Sequence, residues 1–346
     1  MQPAIPSPDA PRSLLLDIAR AGDRLVAVGE QGHIIWSDDD GASWTHAEVP
    51  VSLMLTAAIF PTAERGWAVG HEAVVLTSDD SGSTWSVALA GETIAALQVD
   101  AARDAITEAE AALEAAAEEA REAAQWALED AEIALEDAEL AVDEGIAYPA
   151  LDVWFESPER GYVLGAYGLL LAPSDGGATW KLYSGRLDNL DGYHLYGIAR
   201  SASGALVIAG EAGGLHRSLD DGASWERLDP PYAGSFFGVL ANDDGSLLVF
   251  GLRGNIFRSE DDGDTWVPID APGDSTLFGG RVLSDGRIVL VGASGTVLES
   301  GDRGLSFNTL DIPGRSARSA VAESADGNLV LAGFGGIRVT GKGDAQ

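Results

Sequence analysis

Residues 207–225 read VIAGEAGGLHRSLDDGASW, and the second half of this stretch decides the fold. Its skeleton is Ser, any, Asp, any, Gly, any, Ser or Thr, aromatic: Ser218, Asp220, Gly222, Ser224, Trp225. The same order recurs around Asp39 and Trp44, Asp80 and Trp85, Asp261 and Trp266, and Asp302 and Phe307, and from the aspartate onward in Asp175, Gly177, Thr179 and Trp180. Successive closing aromatics lie 41, 95, 45, 41 and 41 residues apart, so the long interval holds one ordinary repeat plus an insertion. Glycine supplies a left-handed backbone, the aspartate accepts local N–H groups, and the hydroxyl residue adds another short link. This is the chemistry of a braced turn whose aromatic packs beneath it. A carboxylate committed to its own backbone is a poor acid, base or metal ligand, and six dispersed copies do not make one site.

The first half of the stretch is a second shared unit. Val207–Gly210 alternates into a Gly-bounded turn and returns through Leu215–Arg217, as Val26–Gly29 does through Gly32 into Ile34–Trp36. A further apolar segment opens each repeat, for example Leu55–Phe60, Leu195–Ala199 and Phe237–Leu240. Four short antiparallel strands in about 41 residues are one blade of a β-propeller. Six blades are complete, and a seventh is formed from Ser319–Glu323, Leu329–Gly333 and Gly336–Val339, which lacks a fourth strand. The expected architecture is an all-β, seven-bladed propeller of four-stranded antiparallel blades. The N-terminal segment around Ala4–Ser7 is the expected closing strand, although its prolines weaken a regular ladder.

Between Gln98 and Glu144 the composition turns to Ala, Glu and Asp with neither Gly nor Pro. That favours helix. A single helix would leave its ends roughly 70 Å apart, whereas an insertion between adjacent blades must return near its start. An inserted α-helical hairpin is expected, bending between about Ala116 and Arg121. Its inner faces are Ala102, Ile106, Ala109 and Leu113 against Leu128, Ala131, Leu135, Ala138 and Val142. The expected layout is residues 1–97 for the first two blades, 98–145 for the hairpin, 146–341 for blades three to seven and 342–346 for a tail.

The 346 residues carry 55 acidic and 21 basic side chains, a net charge of −34, and no cysteine. Binding to nucleic acid or anionic lipid is disfavoured by repulsion. No apolar run is long enough to span a bilayer, so direct membrane insertion is not expected. His33, His46, His71, His194 and His216 show no metal-ligand spacing, and neither metal nor cofactor is expected. Met1–Arg12 is Pro-rich without the regions of a signal peptide, which leaves open a cytoplasmic protein or a mature exported one.

The six turns look like Asp-box, or BNR, repeats. The longer pattern from Gly210 to Trp225 resembles the bacterial relatives of the Ycf48/HCF136 photosystem II assembly factors, from Leu14 to Thr340 outside the insertion. The resemblance implies a seven-bladed scaffold or assembly protein, periplasmic or lumenal, that binds a protein complex; for some bacterial relatives this is an RND-type exporter of lipids or hydrophobic compounds. It also implies an arginine-bearing recognition surface, for which Arg281, Arg315, Arg318 and Arg20 are the counterparts here. The acidic balance and the insertion are departures that put a photosystem partner in doubt.

Loops entering the innermost strands surround one end of the channel, and aromatic and Arg side chains there are interface formers. The candidates are Trp154, Tyr193, His194, Tyr196, Phe236, Phe237, Phe278, Arg281, Arg315 and Arg318, with Trp126 on the arm. The bland alternative is that each ring seals an interblade joint and that Trp126 packs on the blade rim. The turns between second and third strands bring a second set, Glu30, His71, Glu72, Tyr167, Glu211, Arg253 and Phe334. Because sialidases share these repeats, a glycoside hydrolase assembled from groups such as Tyr193, Glu211 and Arg281 is the enzymatic alternative, and a carbohydrate-binding module a third reading.

Overall fold

The computed structural model describes residues 2–173 and 175–340. The 342–346 tail lies outside them. Seven antiparallel sheets follow one another along the chain, six with four strands in sequential order and the last with three among the described residues. Their first strands, Leu15–Ala21, Leu55–Ile59, Ala150–Ser157, Leu195–Arg200, Phe236–Ala241, Leu277–Val282 and Arg318–Glu323, touch in succession, and the seventh touches the first. The chain is therefore a closed seven-bladed propeller with these strands lining the channel.

Each second strand is apolar and buried along its length, as in Leu206–Gly210 and Ile288–Gly292. A strand enclosed between neighbouring blades has no solvent face, so alternation gives way to a continuous apolar run. Each of these strands ends in glycine for a local reason. A Cβ on Gly29 would lie 2.1 Å from the Leu14 carbonyl oxygen.

The repeated turns are braces, as their sequence implies. In the fourth blade the Asp220 carboxylate accepts the Ser224 N–H (2.8 Å), the Ser224 hydroxyl (2.6 Å) and the Ser218 hydroxyl (2.8 Å). These bonds hold Asp39 and Asp220 at about 2, below the ordinary carboxylate value. Each turn also reaches the preceding blade. Gly41 faces Val330 and Val339 of blade seven, Gly82 faces Val26, Gly177 faces Trp67, Gly222 faces Tyr162 and Gly304 faces Leu248. The motif thus brings its own hairpin to a close and locks the ring.

Closure differs from the expected swapped strand. Ala4 donates its N–H to the Val49 carbonyl at 3.1 Å, following blade one, and Ile5 is exposed. The contact with blade seven is made later, where the Ile337 N–H donates to Pro11 at 2.9 Å beside the single turn Ala10–Arg12. Prolines at 3, 6, 8 and 11 deny that segment a ladder of donors. Sealing comes from packing: Ala10, Leu15, Ile18 and Leu25 share a core with Ala320, Ala322, Val330 and Ala332. The Ser319 hydroxyl also donates to the Leu15 carbonyl at 2.7 Å.

The insertion is a helical hairpin, α1 (Gly91–Ala115) and α2 (Arg121–Glu144), joined through a single turn at Glu118–Ala120. The bend falls where composition and geometry place it. The first helix begins earlier than Gln98, because Ile94 and Ala95 seat the arm in the core shared by blades two and three, together with Ile146. The inner seam is as expected except at its last residue. Val142 is exposed, and the half-buried Ala141 packs against the core at the arm's base instead.

Candidate functional site

The first strands start on the face where each blade's second-to-third turn also lies, since Leu15 pairs with Gly29 and the equivalent pairs recur around the ring. The braced turns close the other face. The arm rises from the same face as the strand starts, with Gly91 against the Glu72 carbonyl in such a turn. All elaboration that breaks the repeat is therefore gathered on one side of the disc.

Alternation along the first strands sorts the candidates. In six of the seven strands the leading residue points between blades: Leu15, Leu55, Ala150, Leu195, Phe236 and Leu277 are buried. Phe236 is thus a core residue, in edge contact with Phe257 at 5.9 Å, and it does not reach the channel. The next residue points inward, so that Leu16, Thr56, Leu151, Tyr196, Phe237, Phe278 and Ser319 form a collar around the mouth. With Phe334 and the wall residue Arg318 they line a cavity of about 400 Å³.

Aromatic rings run through this collar in an unbroken arc. Tyr148 at the arm's base meets Tyr167 (5.6 Å between centroids), Tyr167 meets His194 (5.1 Å), and His194 meets Tyr196 (6.1 Å). Tyr196 meets Phe237 (5.0 Å), and Phe237 meets Phe278 (6.0 Å). Gln98 of α1 donates to the Tyr148 hydroxyl at 2.6 Å, tying the arc to the arm. Tyr167 sits in the left-handed region (φ +56°), as does the equivalent residue of five other blades, and the turn presents its ring 67% exposed. Burial raises the Tyr148 and Tyr196 hydroxyls, which stay protonated donors at neutral pH.

Deeper in the channel, residues missed by sequence reading make a charged layer. Asp17 accepts the Ile18 and Ala58 N–H groups, both at 2.8 Å, and Asp152 accepts from Val153 at 2.8 Å and from the Ile198 backbone. Each carboxylate staples its own inner strand to the next blade's. Burial, then the Asp17 charge, raises Asp152 to about 7. Burial also raises Asp17, opposed by its two backbone bonds and by Arg281. Arg281 lies inside the channel with its pKa lowered by desolvation, not on the recognition surface expected for it.

The remaining candidates lie elsewhere. Trp154 stacks on Tyr162 (6.5 Å) at an interblade joint. Arg315 is exposed at the rim, and the half-buried Tyr193 is held by Asn189, which exchanges two hydrogen bonds with its backbone. Arg318 is buried in the cavity wall and donates to the Pro313 carbonyl at 3.3 Å. Trp126 is 60% exposed on α2, away from the blade rim. The Tyr193, Glu211 and Arg281 grouping does not converge: Glu211 contacts His194 Nδ1 at 3.2 Å and accepts its backbone N–H, while Arg281 is down the channel. Among the described residues no cluster could hold a metal ion, and no helix is long and apolar enough to cross a membrane.

A family model described as photosystem II assembly factor YCF48 matches residues 131–277, from the second half of α2 into the sixth blade. A solved YCF48 with a D1 peptide bound superposes with a TM-score of 0.65 at 14% identity, over 97% of this chain and 98% of that one. YCF48 from Cyanidioschyzon merolae gives 0.64 at 12% identity over 96% of both chains. The WD40 propeller of Doa1 (0.65, 11%, 98% and 95%) and a streptogramin B lyase (0.66, 13%, 95% of both) are as similar in shape, so overall shape alone does not separate the families. None of the curated proteins is a significant sequence match. What does separate them is the repeat itself, which recurs in six of seven blades and which the family model matches in the central ones: the chain is a seven-bladed β-propeller similar there to the YCF48 assembly factors.

Proposed function

We propose that this protein is a non-enzymatic assembly or accessory scaffold that receives an apolar segment of a protein partner at the aromatic channel mouth. The observation that carries the reading is the arc from Tyr148 to Phe278, which crosses several blades and joins the base of the arm. An interblade seal needs one ring per joint. A continuous arc whose last three rings, Tyr196, Phe237 and Phe278, line a cavity of about 400 Å³ is the shape of a recognition groove. The similarity to a YCF48 solved with a D1 peptide supports a peptide-like occupant. The partner is a protein complex; within that class, an exporter of lipids or hydrophobic compounds is the finer proposal, and an exported compartment its setting.

The test is capture from native cells with the intact chain and with Phe237→Ala plus Phe278→Ala. Both rings project into the channel and not into the interblade core, so the disc is expected to fold normally. Loss of two central aromatic contacts is expected to weaken the captured complex at least about tenfold. An unchanged partner set at unchanged affinity rejects the mouth as the docking site. Recovery of an RND-type membrane component, or of a different complex, decides the finer proposal.

A further inference from the structure

The outer face of α2 carries a row that neither the hairpin seam nor the channel mouth uses. Trp126, Ile133 and Leu140 are 60%, 57% and 52% exposed and spaced seven residues apart. On an α-helix that spacing returns to within about 20° of the same direction per step, so the three make one stripe about 21 Å long. Its edges are acidic: Glu129 and Glu136 run along one side, Asp130 and Asp137 along the other, all exposed. The whole helix carries nine acidic residues and one basic residue, Arg121.

From this juxtaposition we infer that the outer face of α2 is a docking surface for a basic amphipathic helix of a protein partner, which adds a third helix to the hairpin. Heptad spacing is the register a packed helix reads, and Lys or Arg flanking its apolar seam would meet the carboxylate rows. Charge argues against two other occupants. A second copy would set two such acidic rows face to face, and an anionic lipid surface would be repelled in the same way. The surface is separate from the channel mouth, so it stands or falls independently of the function proposed above.

The test uses the full chain and labelled synthetic peptides of about 21 residues, matching the stripe's length with flanking turns. One has Leu at the first and fourth heptad positions and Lys elsewhere, one has the same composition scrambled, and one has Glu in place of Lys. The Leu/Lys heptad peptide is expected to bind, with affinity falling at least tenfold between about 50 and 300 mM salt. The scrambled and Glu peptides are expected to bind at least tenfold more weakly. Trp126→Ala with Ile133→Ser and Leu140→Ser, which keeps every charge, is expected to lose at least tenfold while helicity and Phe237-dependent capture stay unchanged. Equal binding of the scrambled peptide, or undiminished binding by the triple variant, overturns the inference. So does concentration-dependent dimerisation that the triple variant abolishes, which would assign the stripe to a second copy.

Discussion

Gly177→Ala is expected to lower the stability of the propeller by about 2–4 kcal/mol, combining a strained backbone with overpacking of a buried joint. Gly177 adopts φ +89°, and an added Cβ would fall 2.1 Å from Cη2 of Trp67 in the preceding blade. Trp67 cannot withdraw. It is fully buried, stacked on Phe155 at 4.6 Å, in edge contact with Trp180 at 5.7 Å and covered by the Arg65 guanidinium at 4.7 Å. The same core seats Ile94 and Ile146 at the root of the arm, so opening the joint also loosens the arm's base. Gly273→Ala is the matched control. Its φ is +82° but no atom lies within 4 Å of the added methyl, so it is expected to cost only the backbone part, about 1 kcal/mol. Denaturant midpoints read the difference, and equal midpoints for the two variants would show that the braced turn does not lock adjacent blades.

How much of this was legible in the chain depends on repetition. Six braces at near-constant spacing identified both the turn and the ring, because one local chemistry was repeated often enough to exclude accident. The bend of the hairpin followed from composition and the need to return. Phe236 and Phe237 illustrate a harder case. They looked equivalent as neighbouring rings, yet the period of two sends one into the core and the other into the channel. Setting them beside Leu195-Tyr196 and Leu277-Phe278 resolves them, since the first member of each pair is the buried one. Asp17 and Asp152 gave a weaker signal. Their counterparts in the other blades are Ala57, Gly197, Gly238, Gly279 and Ala320, so two charges occupy a register otherwise kept small. The arc's outer members were not predictable as an arc, because Tyr148 and Tyr167 belong to different connections and meet only through the fold.

Those two small-register carboxylates give the propeller a pH dependence that Asp152→Asn is expected to remove. In the unfolded chain Asp152 ionises at its ordinary value of 3.8, whereas in the ring it keeps its proton up to about 7. Below pH 3.8 it is protonated in both states, and its contribution to stability is fully present. As the pH rises through about 7 that contribution is lost, because the folded channel must then hold a second, partly desolvated carboxylate near Asp17 with Arg281 acting on the first. A shift of this size corresponds to on the order of 4 kcal/mol above pH 7. Asparagine cannot ionise, and by presenting a donor where Asp152 has two accepting oxygens it forfeits one backbone hydrogen bond, about 1 kcal/mol at every pH. The two stability curves are therefore expected to cross, the natural chain being more stable near pH 4 and the variant more stable near pH 8. His216, lowered to about 4 by burial, tilts both curves in the opposite direction and leaves their difference unaffected. Parallel curves across this interval would mean that Asp152 ionises normally in the channel. Crossing curves would establish that Asp152 stays neutral beneath the collar at neutral pH, so that the charged layer presents the single carboxylate of Asp17 beside Arg281.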